Sequence, residues 1–322
     1  MEKSIRIIYF GTPEFAAVPL KNLLKNGYNV VAVVTIPDKP QGRGQTLKSS
    51  EVAAVAEQYN IPTLKPKSLK SPKFLKSLQD LNPEVGVVVA FRKLPKVVWE
   101  MPTKGTFNLH ASLLPQFRGA APIHWAIIHG EPQTGVTSFF LNDEIDAGKI
   151  IMQESIDIMP DDTTGSMYHK LMHLGSDVIV QTIAAIAHDG VAAQDQPTDM
   201  PLKMAPKIFK TDALIDFRKS LPEIDQFIRG MNPIPGAYFE IEKEGKKVPL
   251  RINSAAIQFR DSHSISNQLI VEDKQLGVSH KEGVIWLKNI QAPGKRQLPA
   301  DQFLNGWQDI ENWHLVPKNK ES

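Results

Sequence analysis

The sequence predicts an α/β protein whose first part is a doubly wound sheet and whose last part is a small β-barrel. Three observations lead there. Apolar runs of strand length alternate with helical patterns from Ile5 to His188. The stretch 189–206 then gathers Gly190, Pro197, Pro201 and Pro206 among polar residues, as a linker does. Beyond it, short strand-like runs follow one another with turns between them.

Ile5–Phe10 is continuously apolar, as a parallel strand buried on both faces requires. Gly11-Thr12-Pro13 breaks it. From Glu14 to Leu24, apolar residues at Phe15, Ala16, Val18, Leu20, Leu23 and Leu24 take helical spacing, and Asn26-Gly27 ends the helix. Asn29–Thr35 is a second buried strand. Helices near Glu51–Tyr59 and Pro72–Leu81 precede a third, Glu84–Phe91. Phe107–His110 reads as strand. Ala121–His129 is helical, with Pro122 near its first turn. Thr134–Leu141 and Lys149–Ile158 are strands, and the polar run Asp161 to Thr164 caps a long helix that ends near His188. After the linker come one helix, Leu221–Met231, and strand-like runs at 236–241, 248–257, 268–272 and 283–287. The expected division is 1–188, a linker 189–206, and 207–322.

A length of 322 residues suggests about two domains. Hydrophobic residues at 42% and charged residues at 22% are enough to give each domain a core. The absence of cysteine removes disulfides, thiolate zinc sites and cysteine nucleophiles together. The apolar run near the N-terminus is too short for a signal-peptide core, and no stretch reaches the roughly 20 apolar residues of a membrane span. A cytoplasmic monomer with no membrane partner is expected. The net charge of +2 does not by itself point to nucleic acid. The charge is uneven, with 19 Lys/Arg against 20 Asp/Glu in 1–202 and 18 against 15 in 203–322, leaving the C-terminal part at +3.

Four segments could carry chemistry. Asn108 and His110 are two apart on a strand and so project from one face. An Asn amide can donate to a developing oxyanion, and a His can exchange protons near neutral pH. Asp143, Glu144 and Asp146 crowd four positions after an apolar strand. A carboxylate beside a histidine orients it and favours its charged form. Ser112 to Ile123, with two prolines, a glycine and small alanines, can bring backbone polar groups against a flat ligand. The loop Pro37–Lys48 holds Lys39, Arg43 and Lys48 among glycines and can grip phosphates. Each segment alone also reads as ordinary structure: a strand pair, a hairpin turn, a loop before a helix, a surface loop. Gly11-Thr12-Pro13 lacks the further glycines of a dinucleotide fingerprint, and no G-x-S-x-G elbow occurs. His169 and His173 have zinc-like spacing but no glutamate between them and no third ligand, so no metal is expected.

Taken together, F-N-L-H, S-L-L-P-Q-F-R-G-A-A-P-I and E-I-D-A-G-K-I, in this order, resemble the folate-dependent formyltransferases. The segments I-I-Y-F-G-T-P-E-F-A, P-D-K-P-Q-G-R-G and N-P-I-P-G-A are similar to those of the members that act on methionyl-tRNA. The resemblance covers about residues 4–317. It implies a Rossmann-like formyltransferase domain followed by an OB-like barrel. It also implies transfer of a formyl group from 10-formyltetrahydrofolate to the amino group of methionine on initiator tRNA. Asn108, His110 and Asp146 match the family's catalytic set, and Ser112, Leu113, Leu114 and Pro115 its folate-contacting stretch. Lys39 and Arg43 fall in its tRNA-approaching loop, Lys207 and Lys210 in its basic stretch after the linker. Two positions depart: Arg92 stands where many members have glycine, and Ser49 to Ala53 where many have a proline-flanked segment ending in lysine. Rival readings on the same scaffold are transfer to an amino-sugar nucleotide or to glycinamide ribonucleotide, and release of formate by folate hydrolysis. From another class, a catalytically silent RNA-binding protein remains.

Overall fold

The computed structural model describes residues 2–41, 46–188, 191–197, 199–260 and 267–318. Two compact units share the chain. One comprises 1–122, 133–157 and 168–204; the other comprises 123–132, 158–167 and 205–322.

The first unit is built on a seven-stranded sheet. In chain order its elements begin β1 (Ile7–Gly11), α1 (Glu14–Lys25), β2 (Val30–Val34), β3 (Lys39–Gln41), β4 (Thr46–Lys48), α2 (Glu51–Gln58) and β5 (Thr63–Leu64). They continue with α3 (Pro72–Asp80), β6 (Val85–Val89), α4 (Lys96–Trp99), β7 (Thr106–His110), β8 (Arg118–Gly119), β9 (Gln133–Phe140) and β10 (Ile150–Asp157), whereas α5 (Pro122–Ile128) from Ile123 onward and the first turn of α6 (Thr164–Ala187) are counted with the second unit. The sheet order is β10-β9-β7-β6-β1-β2-β5. The strands β7, β6, β1, β2 and β5 are parallel; β9 runs against them, and β10, antiparallel to β9, runs in their direction again at the sheet edge. The chain winds outward from β1 through β2 to β5, then returns to lay β6 and β7 on the other side. That reversal between β1 and β6 is the switch point at which such sheets bind ligands, beyond the C-terminal strand ends. Every residue of β1 and β6 is buried, which is why their sequences are unbroken apolar runs. On one face Ile8, Phe10, Ala32, Val34 and Val88 pack against Phe74 and Leu78 of α3.

The predicted loop Pro37–Lys48 is instead partly paired: β3 and β4 form an antiparallel hairpin with Lys39 opposite Lys48. Lys65 ties its base, with its ammonium 2.6 Å from the Asp38 carboxylate, and holds that carboxyl below its usual range. The second departure from the family pattern has a local reason. Ser50 caps α2 by accepting from the Ala53 N–H at 3.1 Å, and its hydroxyl also meets Thr35 at 2.7 Å.

In the second unit α7 (Leu221–Met231) lies on an antiparallel sheet. After the two-residue β11 (Met204–Ala205), that sheet is made of β12 (Ala237–Lys243), β13 (Lys246–Phe259), β14 (Leu269–Glu272), β15 (Gln275–His280), β16 (Gly283–Gln291), β17 (Leu298–Pro299) and β18 (His314–Val316), with α8 (Ala300–Leu304) between the last two. Its order is β14-β15-β16-β13-β12-β18, with β17 on β16. The expected barrel is present as a curled half-barrel. The 14-residue β13 serves both halves of it, and register shifts between Ile252 and Ala255 bend it. Leu221, Ile224, Ile228 and Met231 face the same core as Phe239, Ile241, Leu250 and Ile252. The strand β15 was not foreseen. A Cβ at Gly277 would lie 2.8 Å from the Trp286 ring, so this strand needs a glycine, and the glycine dilutes its pattern.

Candidate active site

β7 ends at the C-terminal edge of the sheet, between β6 and β9, with Asn108 paired to Val88 on one side and Phe139 on the other. The pleat projects Asn108 and His110 to the same face, as the spacing predicts. The Asn108 side chain is half-buried and has no hydrogen-bond partner among the described residues. Its amide donors are therefore available to a ligand. His110 is 6% exposed. Its Nε2 donates to the Phe117 carbonyl at 2.8 Å, and its Nδ1 lies 3.9 Å from the Asp146 carboxylate. The ring is thus hydrogen-bonded through Nε2, while the carboxylate stands near Nδ1 beyond direct hydrogen-bond distance.

The turn Asp143 to Gly148 brings Asp146 into place. Asp146 has φ +52°, and its carboxylate accepts from the Gly119 N–H at 3.0 Å. A Cβ at Gly148 would lie 1.6 Å from the Phe140 carbonyl oxygen, so the turn closes only with glycine there. Of the three clustered carboxylates, Asp143 points elsewhere, 3.4 Å from Lys96.

Ser112, Leu113, Leu114 and Pro115 form the wall after β7, and several of their polar groups are bonded within the protein. The Ser112 hydroxyl donates to the Gln116 carbonyl at 2.7 Å, and Thr137 donates to the Ser112 carbonyl at 2.6 Å. The Leu114 N–H meets the Thr137 hydroxyl at 3.1 Å, and Gln153 donates to the Leu114 carbonyl at 2.8 Å. The Leu114–Pro115 peptide is cis. Arg92 follows β6. Its guanidinium donates to the carbonyls of Pro66 and Lys67 at 2.7 and 3.2 Å and lies 5.7 Å from the Phe91 ring centre. It is thereby braced against the neighbouring loop.

The basic candidates fall in different places. Lys39 is exposed on β3, while Arg43 lies outside the described residues. In the second unit the Lys207 ammonium sits 5.0 Å from the Phe209 ring centre. Lys210 lines a cleft of about 510 Å³ with Tyr238 and Arg251. His124 serves structure: it donates to the Ile234 carbonyl at 3.0 Å, and burial lowers its pKa. Among the described residues no group of His, Asp and Glu is arranged to hold a metal ion, and no helix is long and apolar enough to cross a membrane. Sequence reasoning missed Arg118 and Gln196, which bond to each other beside Asp146. No local pattern marks Gln196.

Comparison with known proteins identifies the family. The formyl transferase family pattern matches residues 3–183, and the formyl transferase C-terminal domain pattern matches 207–308. The chain is 48% identical over 309 residues to a methionyl-tRNA formyltransferase of Azobacteroides pseudotrichonymphae, covering 94% of this chain and 95% of that protein. Among solved structures, WlaRD, a sugar 3N-formyl transferase crystallised with dTDP and 5-N-formyl-THF, superposes with a TM-score of 0.65 at 19% identity, covering 91% of this chain and 99% of that one. HypX from Aquifex aeolicus, in complex with tetrahydrofolic acid, gives a TM-score of 0.61 at 16% identity over 95% of this chain. The match covers 48% of HypX, so this chain spans about half the length of that protein. At these identities the two structures speak to fold alone.

Proposed function

The chain belongs to the formyl transferase family, within it to the methionyl-tRNA formyltransferases, and we propose that it moves a formyl group from 10-formyltetrahydrofolate to the α-amine of methionine on initiator tRNA. The observation that carries this is the single face of β7 that presents Asn108 and His110, with the Asp146 carboxylate 3.9 Å behind the ring.

The amine nitrogen attacks the formyl carbon, forming one C–N bond and a tetrahedral intermediate. The Asn108 amide, uncommitted to the protein, donates to the oxyanion. His110 adds positive charge beside it, held by Asp146. To touch the reacting atoms, His110 exchanges its bond to the Phe117 carbonyl for one to substrate. The bond from the carbon to N10 of the folate then breaks, and the proton lost by the amine ends on that nitrogen. Ser112 to Pro115 shape the folate wall. Lys39 and Arg43 approach the tRNA acceptor end, and Lys207 and Lys210 contact the tRNA from the second unit. The reading keeps 1–188 as catalytic domain, 189–206 as linker and 207–322 as tRNA-contacting domain. It describes a cytoplasmic monomer working without a metal.

The test is a formylation assay with purified protein, 10-formyltetrahydrofolate and methionine-charged tRNA, initiator against elongator. Transfer to the initiator alone is expected. Transfer to neither, with amino-sugar nucleotides accepted instead, would replace the acceptor in this reading.

A further inference from the structure

We propose that Gln196 is a positioning residue of the active site: its side-chain amide fixes the turn that presents Asp146 to His110. The inference rests on the roles given above to Asn108, His110 and Asp146.

Gln196 lies in the stretch that composition marks only as linker, yet it is 7% exposed. Its Nε2 donates to the carbonyls of Asp146 and Gly148 at 2.9 and 2.8 Å. Its Oε1 accepts from the Arg118 guanidinium, at 3.0 Å from Nε and 2.5 Å from the terminal nitrogen. This orientation follows from chemistry: a guanidinium only donates and a carbonyl only accepts, so the oxygen must face Arg118. Both donors and the acceptor of the amide are thereby used. Its own backbone is anchored two residues earlier, where Gln194 and Ile150 exchange N–H···O bonds of 2.9 and 2.7 Å.

These bonds close a ring of three segments. The residue after Arg118, Gly119, donates its N–H to the Asp146 carboxylate. The residue before Arg118, Phe117, accepts from His110 and donates its N–H to the Lys203 carbonyl at 2.6 Å. Gln196 therefore holds the Asp146 backbone from one side and, through Arg118, the two neighbours that contact the Asp146 and His110 side chains. Asp146 needs such support. Its φ of +52° is a conformation that non-glycine residues keep only when their surroundings over-determine it. A small error in carboxylate placement costs rate more than binding.

The test is steady-state formylation by Gln196→Glu and Gln196→Asn, each alone and with Asp146→Ala. Glutamate keeps the partner for Arg118 but turns an acceptor toward the two carbonyls. Asparagine keeps the amide on a shorter stem. We expect Q196E to lower kcat at least tenfold with KM for folate and for charged tRNA within about twofold, and Q196N to fall between it and the parent. In the Asp146→Ala background, Q196E should add less than a twofold loss, because both changes remove the same function. An unchanged kcat in Q196E, a loss confined to KM, or a full further loss in the Asp146→Ala background would overturn the proposal. So would loss of the folded state in both single variants, since the network would then serve the fold alone. Normal turnover by Asp146→Ala itself would instead remove the catalytic role of Asp146. The two failures are therefore told apart by that one variant.

Discussion

Asn108, His110 and Asp146 differ in what holds them. Asn108 depends on the strand alone, His110 on a carbonyl and a carboxylate, and Asp146 on a turn with a positive φ. Replacing any one with Ala should cut turnover about 100-fold or more, with the fold retained. Near-normal rates in all three would sink the assignment. Gly148→Ala tests the turn rather than the chemistry. Its Cβ would sit 1.6 Å from the Phe140 oxygen, so backbone must move. A loss of about 1–3 kcal/mol is expected in chemical denaturation, together with most of the activity. Wild-type stability would show that the turn yields without cost.

At the scale of elements, α7 gives a clean case. The Ser220 hydroxyl accepts from the Glu223 N–H, and the Glu223 carboxylate accepts in return from the Ser220 N–H at 3.0 Å. These bonds, led by the one from the Ser220 backbone, hold the Glu223 carboxyl at about 2, below its ordinary 4.5. The folded pKa is the lower one, so this stabilisation is full above about pH 4.5 and is lost as pH falls toward 2. Glu223 is largely exposed, so screening by water keeps its share below about 1 kcal/mol. Ser220→Ala should cost about 1 kcal/mol at pH 7. The gap to the parent should narrow at pH 3 in urea titrations. A gap independent of pH would mean that the carboxylate contributes nothing. The same helix places Leu221, Ile224, Ile228 and Met231 on its buried face, a pattern readable directly from the chain.

At the scale of the whole molecule, the proposed tRNA contacts and the proposed folate wall separate by kind of force. Lys39, Arg43, Lys207 and Lys210 act by charge, whereas Ser112 to Pro115 act by shape. KM for charged tRNA should therefore rise steeply between 50 and 200 mM salt, by about tenfold or more, while KM for folate changes little. Arg43→Ala should raise KM for tRNA several-fold and leave folate binding as it was. An equal effect on both substrates would displace Arg43 from its role.

Much of this was readable in the chain. The unbroken apolar runs of β1 and β6 specify strands buried on both faces, because only apolar residues tolerate that position. The spacing of Asn108 and His110 fixes their common face, because a strand repeats every two residues. The order of the formyltransferase segments identifies the family. Other features depended on residues far apart in sequence. β15 and β18 are strands through the partners beside them, and their own sequences are too short or too diluted by glycine to declare it. The resemblance names Asp146 among the three clustered carboxylates, but how its carboxylate reaches the neighbourhood of the histidine depends on the turn that Gly148 closes against Phe140. The place of Gln196 was invisible for the same reason: its partners Arg118, Asp146 and Gly148 lie 48 to 78 residues away along the chain. A sequence specifies what each segment prefers locally. Which distant polar groups share hydrogen bonds is decided only when the sheet brings their loops together.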